Sequence, residues 1–309
     1  MTRLIFLLIS RGLQLLSWLM PRTAGRVAYR LFCKPMSRRS VPESVEAIMG
    51  RAERITLELP PGAEPGGIPP MNPGPLKVAA YRWPAPAGSG PRVLLVHGWE
   101  SRAARLAVWV EPLLAAGFEV VAFDGPAHGE SAGSRSNPIE FVSAMRALVA
   151  RVGQPDAVVA HSMGGLATLI ATSGHQVFGG FQLRPQKILI LAGGNSGVQA
   201  MSLFCAALGL RQGFVSRLLD AAAEVSGGHQ IGDFDGDRLF PEVEISTLWL
   251  HDPEDPVVPF EAAQKVAAAC PHVELVALSG LGHHQIARDP AVIERGVAFL
   301  SLENPVSGD

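Results

Sequence analysis

A single serine, at the end of a short apolar run, constrains the fold of this chain more than any other residue. The stretch Val158–Gly165 reads VVAHSMGG, with branched apolar residues before Ser162 and a helix-like run after it. Small residues lie two positions before the serine, at Ala160, and two positions after it, at Gly164. A sharp strand-to-helix turn holds its central residue in a strained backbone conformation and tolerates only small neighbours. The pattern therefore predicts a nucleophile elbow that lifts the Ser162 hydroxyl clear of a β-sheet.

The chain around this serine alternates strands and helices from residue 92 onward. The predicted strands are short and mostly continuous in apolar residues: 92–96, 119–123, the run ending at 161, 187–192, 247–251 and 273–278. The predicted helices between them lie near 103–116, 137–152, 260–269 and 290–302. Strands buried on both faces and separated by helices are typical of a mostly parallel sheet flanked by helices. Residues 195–243 interrupt the alternation, and we expect them to form a small helical cap.

A serine hydroxyl is a poor nucleophile until a base removes its proton, and the base needs a carboxylate to fix its tautomer. Two carboxylates, Asp252 and Asp255, follow the strand that ends at residue 251. Two histidines, His283 and His284, follow the strand that ends at residue 278. The order serine, acid, histidine is the one that a strand–turn–helix serine uses.

Together these stretches resemble the α/β-hydrolase superfamily over about residues 76–302. Four separate features carry the resemblance: HGW at 97–99, DGPAHGES at 124–131, AHSMGG at 160–165, and the turns DPEDPVVP and GLGHH. They also look like a bacterial group in this superfamily that has an HGWES-like loop and a basic N-terminal segment, a likeness that brings no substrate with it. The serine at the elbow disfavours the dehalogenase and epoxide-hydrolase branches, which have Asp there.

The resemblance implies a role for each matching residue. Ser162 matches the nucleophile, Asp255 matches the acid before a Pro-Val-Val-Pro run, and His283 matches the base in a G-x-G-H turn. Asp252 and His284 remain the alternative acid and base. The backbone N–H groups of Met163 and Trp99 would form the oxyanion hole. The side chain of Trp99 would line the acyl pocket.

Other polar residues in these motifs have less specific expectations. We expect His97 to shape the loop before the tryptophan, and His161 to pack or hydrogen-bond rather than react. We expect His128 and Ser131 to brace the oxyanion loop. Glu100 and Arg102 would lie near the site entrance, where a polar substrate or solvent would meet them.

No cofactor or metal is expected. The chain has no G-x-G-x-x-G after its first parallel strand and no P-loop. The adjacent pair His283 and His284 cannot easily coordinate one ion, and no third ligand has suitable spacing. Three widely spaced cysteines, Cys33, Cys205 and Cys270, fit a reducing compartment better than a disulfide framework.

The N-terminal segment differs in charge from the rest of the 309-residue chain. Residues 1–39 contain eight basic side chains and no acidic one, whereas the whole chain has a net charge of −2. The remainder is therefore acidic, which argues against nucleic acid as a partner. We expect a basic amphipathic helical extension over 1–54, before a hydrolase domain over 55–309. Its first 39 residues either contact the inner face of the membrane or pack on the body of a cytoplasmic protein.

These features predict a serine hydrolase that cleaves a small-molecule carboxylic ester through an acyl-enzyme. An ester is preferred to an amide because its leaving group needs less assistance. A thioesterase or lipase with the same three residues is the nearest alternative. A non-catalytic, membrane-associated binding protein on a hydrolase fold is a second, because a fold does not fix a function.

Overall fold

The computed structural model describes residues 2–38, 40–60, 67–72, 74–211 and 213–301, with backbone alone for residues 2–6. Within these residues, eight strands form one sheet: β1 Glu53–Leu59, β2 Leu76–Trp83, β3 Arg92–Val96, β4 Glu119–Phe123, β5 Ala157–His161, β6 Lys187–Leu191, β7 Ser246–His251 and β8 Val273–Ala277. Their order across the sheet is β1-β2-β4-β3-β5-β6-β7-β8. Strand β2 runs antiparallel to both of its neighbours, β1 and β4, and β3 to β8 run parallel to one another. The predicted mostly parallel sheet is confirmed.

In the described part of the chain, twelve α-helices accompany the sheet: α1 Thr2–Leu19, α2 Pro21–Phe32, α3 Glu46–Gly50, α4 Val110–Ala115, α5 Pro138–Val152, α6 Met163–Thr172, α7 Gly197–Ala207, α8 Gly213–Val225, α9 Gly236–Leu239, α10 Glu261–Ala269, α11 Gly282–Gln285 and α12 Pro290–Ser301. Alternate residues of β3 pack on opposite helical layers. Leu94 and Val96 contact the core beneath α5 and α6, whereas Val93 and Leu95 contact the core beneath α4 and α12. This burial of both faces explains why the strands are continuously apolar.

The helix predicted over 103–116 is the clearest departure from the sequence analysis. The chain instead forms two 3₁₀ turns, Ala103–Arg105 and Ala107–Trp109, followed by the short helix α4. Pro112 explains the difference, because a proline ring inside a helix clashes with the carbonyl four residues earlier. A regular helix therefore cannot run from residue 103 through Pro112.

The N-terminal helices pack on the cap insertion. Leu13 of α1 and Ala28 of α2 are buried in one apolar cluster with Met201 of α7 and Leu218 of α8. The crossing of α2 over α8 is close enough that a Cβ at Gly25 would lie 2.4 Å from the Arg217 carbonyl oxygen. Of the two expectations for residues 1–39, packing against the rest of the chain is therefore observed.

Candidate active site

The serine lies on the predicted turn between β5 and α6. Ser162 has φ 56° and ψ −126°, a strained region that a non-glycine residue keeps only when its surroundings impose it. The helix after it passes very close to β3: a Cβ at Gly164 would lie 2.5 Å from the Val96 carbonyl oxygen and 2.6 Å from that of His97. Glycine is therefore required at this position. The turn brings the Ser162 side chain to the carboxyl ends of the parallel strands.

Three side chains from three strand ends form one hydrogen-bonded chain. The Ser162 hydroxyl donates to Nε2 of His283 over 2.9 Å, and Nδ1–H of His283 donates to Oδ2 of Asp255 over 2.7 Å. The three residues are between 5% and 9% exposed, so the bonds lie in a partly water-excluded environment. The structure thus brings together the serine, acid and histidine chosen from the sequence.

The Asp255 carboxylate is held from its other side by backbone. Its Oδ1 accepts N–H groups from Val257 over 2.7 Å and Val258 over 3.0 Å. Burial raises the pKa of Asp255, but hydrogen bonds from His251, His283 and these two N–H groups outweigh it, and the pKa lies below its usual range. The carboxylate is therefore ionised at neutral pH, as a group that stabilises an imidazolium must be.

His251 is a component of the site that the sequence analysis missed. It is fully buried at the end of β7, where its Nδ1 accepts from Nε1–H of Trp249 over 3.4 Å. Its Nε2–H donates to the Val258 carbonyl over 3.0 Å and lies 3.5 Å from Oδ2 of Asp255. A histidine at the last position of an otherwise apolar strand was the available signal. The side chain fixes the loop that carries the acid.

The alternative acid and base have other contacts. Oδ2 of Asp252 accepts the backbone N–H groups of Leu281 over 2.7 Å and Gly282 over 2.5 Å, so it fixes the turn before His283. His284 is exposed, and its ring centroid is 5.1 Å from that of His283. The geometry therefore favours Asp255 and His283 over Asp252 and His284.

His161 packs against His283 and hydrogen-bonds its backbone. Its Nε2–H donates to the His283 carbonyl over 2.8 Å, and the two ring centroids are 4.9 Å apart. Burial, followed by the proximity of His283, lowers the pKa of His161 to about 3, so its ring is neutral. His161 thus orients His283 without adding positive charge, in agreement with the expectation that it hydrogen-bonds rather than reacts.

His161 also supplies the third nitrogen that the sequence analysis did not find beside His283 and His284. One ring nitrogen from each of these residues lies within 4.8 Å of the others, which is compatible with a metal ion. Both ring nitrogens of His283 are already hydrogen-bonded, to Ser162 and Asp255. A metal here would therefore displace one of those bonds, and the expectation of no metal stays a prediction.

The loop after β3 packs directly against the serine. A Cβ at Gly98 would lie 2.7 Å from the Ser162 Cβ and 3.1 Å from the His161 carbonyl oxygen. His97 fixes this loop: its Nδ1–H donates to the Gly98 carbonyl over 2.7 Å, and its Nε2 accepts from the Gly125 N–H over 2.8 Å. Burial lowers the pKa of His97 to about 4, which keeps Nε2 free to accept. These contacts agree with a structural role for His97 and bring Trp99 beside Ser162.

The turn after β4 braces that loop. The His128 ring packs edge-to-face on the Trp99 ring, with centroids 5.0 Å apart, and the Ser131 hydroxyl donates to the Asp124 carbonyl over 2.5 Å. Arg102 was expected near solvent or substrate, but its side chain is 8% exposed and lies 3.1 Å from Glu130 and 3.6 Å from Asp124. The reason is local charge, since a buried guanidinium requires carboxylate partners. Arg102 therefore helps to hold the loop after β3 in place.

The N-terminal segment reaches the same loop. The Met36 N–H donates to Oε1 of Glu100 over 2.6 Å, so Glu100 receives a backbone donor where a substrate or solvent contact was expected. The Arg38 guanidinium donates to the carbonyls of Gly129, Ser131 and Gly133 over 3.1, 2.6 and 2.9 Å. The extension is thus attached to the cap, to the loop beside Ser162 and to the turn after β4 that braces this loop.

The model of the Alpha/beta hydrolase family matches residues 93–295, and a search of curated proteins returned no match. Similar solved structures include a putative lipase from Acinetobacter baumannii AYE, at 15% identity and TM-score 0.58, covering 85% of this chain and 96% of that one. They also include the Pyrococcus furiosus esterase Pf2001, at 16% identity and TM-score 0.56, covering 87% and 95%.

A further similar structure is a thioesterase domain from the curacin biosynthetic pathway, at 18% identity and TM-score 0.52, covering 81% of this chain and 99% of that one. The three proteins are named for different activities, and sequence identities this low establish only that they share the fold. The family assignment depends instead on the model match, which spans most of the chain and contains every residue of the hydrogen-bonded chain described above. The chain belongs to the alpha/beta hydrolase family.

Proposed function

We propose that this protein is a serine hydrolase that cleaves carboxylic esters through an acyl-enzyme intermediate. One observation carries the proposal: the unbroken hydrogen-bonded chain from the Ser162 hydroxyl through His283 to the ionised Asp255. This arrangement makes a weak nucleophile reactive, because the imidazole accepts the hydroxyl proton and the carboxylate stabilises the resulting cation. The proposed substrate is a small-molecule ester, and the proposed step needs no cofactor.

In the first half-reaction, Ser162 Oγ attacks the ester carbonyl carbon as its proton moves to His283 Nε2. The tetrahedral intermediate collapses when the carbon–oxygen bond to the leaving alcohol breaks, and His283 returns the proton to that oxygen. In the second half-reaction, His283 takes a proton from water as the water oxygen attacks the acyl carbon. The carboxylic acid leaves, and Ser162 recovers its proton from His283.

The negative charge on the carbonyl oxygen needs donors that are already in place. We assign this role to the backbone N–H groups of Trp99 and Met163. Met163 directly follows the serine, and Trp99 directly follows Gly98, whose Cα lies against the Ser162 side chain. The hydrogen bonds of His97 fix this loop in advance, so it needs little reorganisation when the charge develops.

Labelling with a fluorophosphonate probe tests the proposal, because such probes react with an activated serine. We expect wild-type protein to be labelled, and both Ser162→Ala and His283→Ala to lose labelling by about 10⁴-fold or more. Ser173→Ala, at the end of α6, and His284→Gln, beside the base, are the matched controls and should keep wild-type labelling. An unlabelled, well-folded wild type would refute the proposal and favour a binding protein on this fold.

A panel of paired esters and thioesters that share each acyl chain then identifies the bond. Faster turnover of the ester at equal acyl chain supports the esterase assignment. Faster turnover of the thioester would replace it with a thioesterase, and activity confined to emulsified long-chain esters would replace it with a lipase. The cap residues 195–243 begin directly after Gly194, whose N–H donates to the Ser162 carbonyl, so we expect them to determine acyl-chain length.

A further inference from the structure

The outer face of α1 exposes five large apolar side chains. They are Leu7, Leu8, Leu15, Trp18 and Leu19, with exposed fractions of 55%, 63%, 61%, 81% and 60%. With 3.6 residues per turn, these positions fall within an arc of about 120° on the helix surface. Contiguous apolar surface of this kind is rare on a protein surface without a partner and marks an interaction site.

The opposite face of α1 is already packed, which fixes the direction of this exposed face. Leu13 is 4% exposed within the cluster that joins α1 and α2 to the cap. The side chain of Arg217 in α8 hydrogen-bonds Ser17, and Nε2 of Gln14 donates to the Gly209 carbonyl over 3.0 Å. The exposed residues therefore cannot turn inward without breaking the contacts of the helix with the cap.

The charge around this face is exclusively basic within the N-terminal segment. Arg11 lies within the apolar arc, and Arg22, Arg30 and Lys34 are exposed farther along the segment. No acidic residue occurs before Glu43. Leucines and a tryptophan next to arginines are typical of a helix that lies in the interface of an anionic bilayer. The charge complements anionic lipid headgroups.

The same basic charge argues against a second copy of the chain as the partner of the outer face of α1. A symmetric contact would bring the basic segments of both copies together, and like charges repel. Among the residues that the structure describes, no helix is both long enough and apolar enough to span a membrane. An α1 bound to lipid would therefore lie along the surface.

We propose that the outer face of α1 docks this protein on an anionic lipid bilayer, with Trp18 and the exposed leucines inserted among the headgroups and Arg11 and Arg22 contacting lipid phosphates. This inference goes beyond the hydrolase proposal and does not depend on it. Trp18 is also a built-in reporter, because it is 81% exposed, whereas Trp83, Trp109 and Trp249 are at most 2% exposed and Trp99 is only partly exposed.

The test is flotation of the full-length protein with vesicles of phosphatidylglycerol and phosphatidylcholine, or of phosphatidylcholine alone. We expect binding to the anionic vesicles, with a blue shift of tryptophan emission that Trp18→Phe removes. The double variant Leu15→Ser/Trp18→Ser should lose binding by about tenfold or more, because each side chain buries most of its apolar area. Leu203→Ser is the matched control, since Leu203 is 41% exposed on cap helix α7, and it should bind as wild type.

The electrostatic part is tested separately. Arg11→Gln/Arg22→Gln should weaken binding to anionic vesicles by about tenfold, since each juxtamembrane cation adds a modest attraction. Arg151→Gln/Arg184→Gln removes the same charge from the body of the protein and should leave binding unchanged. Wild-type binding should also weaken as salt rises.

Several results would overturn the proposal. Wild-type protein that stays with the buffer would do so, as would a Leu15→Ser/Trp18→Ser variant that floats like wild type. Concentration-dependent self-association without vesicles, abolished by that variant, would instead identify the face as a contact between copies. Ser162→Ala should float like wild type, so failure of the hydrolase proposal and failure of lipid docking are distinguishable.

Discussion

Replacing Gly98 with alanine should slow the reaction of Ser162 because the added methyl group has no space. The structure puts that methyl carbon 2.7 Å from the Ser162 Cβ and 3.2 Å from its Oγ. Carbon atoms pack at about 3.5–4.0 Å, so relief requires a shift of about 1 Å. The serine cannot supply it, because the chain on both sides of Ser162 is fixed in β5 and α6. The loop that carries Trp99 must therefore move.

That movement has a predictable cost in rate. A displacement of about 1 Å at a reacting group reduces catalysis by about 10²-fold, because the donors no longer match the developing charge. Overpacking should also lower the free energy of unfolding by about 1–3 kcal/mol. The assays are the second-order rate of fluorophosphonate labelling and urea unfolding, both compared with wild type.

Gly194→Ala is the matched control, because an added Cβ there meets no atom within 4 Å although its N–H bonds the Ser162 carbonyl. We expect that variant to label and unfold like wild type. Wild-type labelling of folded Gly98→Ala would refute the reasoning, since the loop would then not be held against the serine as described. Equal losses in both alanine variants would also refute it, because space at residue 98 would not be the cause.

Three further variants test other contacts. His251→Phe should reduce labelling about tenfold and lower the free energy of unfolding by about 1–3 kcal/mol, because it removes a donor beside Asp255 and leaves buried polar groups unpaired. Gly25→Val should lower the free energy of unfolding by a similar amount and expose the N-terminal helices to protease, because the Arg217 carbonyl occupies the space that a Cβ at residue 25 would fill. Gly12→Ala, where an added Cβ meets open space, should have neither effect. Burial and nearby His97 lower the pKa of His128 to about 3. Unfolding at pH 4–6 therefore takes up a proton there, stability falls as pH drops below about 6.5, and His128→Phe should reduce that slope by up to about 1.4 kcal/mol per pH unit in urea titrations.

The sheet could be predicted because its signal is local. Strands such as Arg92–Val96 are apolar at every position, and only burial on both faces explains that pattern. The 103–116 segment was predicted wrongly because its apolar spacing is helical, whereas Pro112 decides the backbone locally. Residues 195–243 were separated from the sheet because they interrupt the alternation of strands and helices, and the structure has the helices α7 and α8 in this segment.

The predicted Ser162, Asp255 and His283 depend on turn motifs, which can be recognised because they follow the ends of strands. Ser162 directly follows β5, whereas Asp255 and His283 lie in the turns after β7 and β8. The parts that could not be predicted depend on contacts between distant segments. Nothing adjacent to Arg102 indicates that Glu130 and Asp124 will enclose it, and nothing beside Asp252 indicates that it will bind the N–H groups of the His283 turn. Such pairings become visible only once the sheet has aligned its strand ends.

The contact between Met36 and Glu100 has a consequence for how the N-terminal segment should be studied. Removal of residues 1–39 would delete the proposed lipid-binding face. It would also delete the Met36 bond to the loop beside Ser162 and the Arg38 bonds to the turn that braces this loop. It would further expose the apolar surface of α8 that α2 covers. Lost vesicle binding in such a truncation would therefore have three causes that cannot be separated. Substitutions on the outer face of α1 change the lipid-binding face alone, because these side chains are at least 55% exposed. A truncated chain that loses fluorophosphonate labelling, beside a Leu15→Ser/Trp18→Ser variant that keeps it, would show that the extension supports the active-site loops independently of lipid.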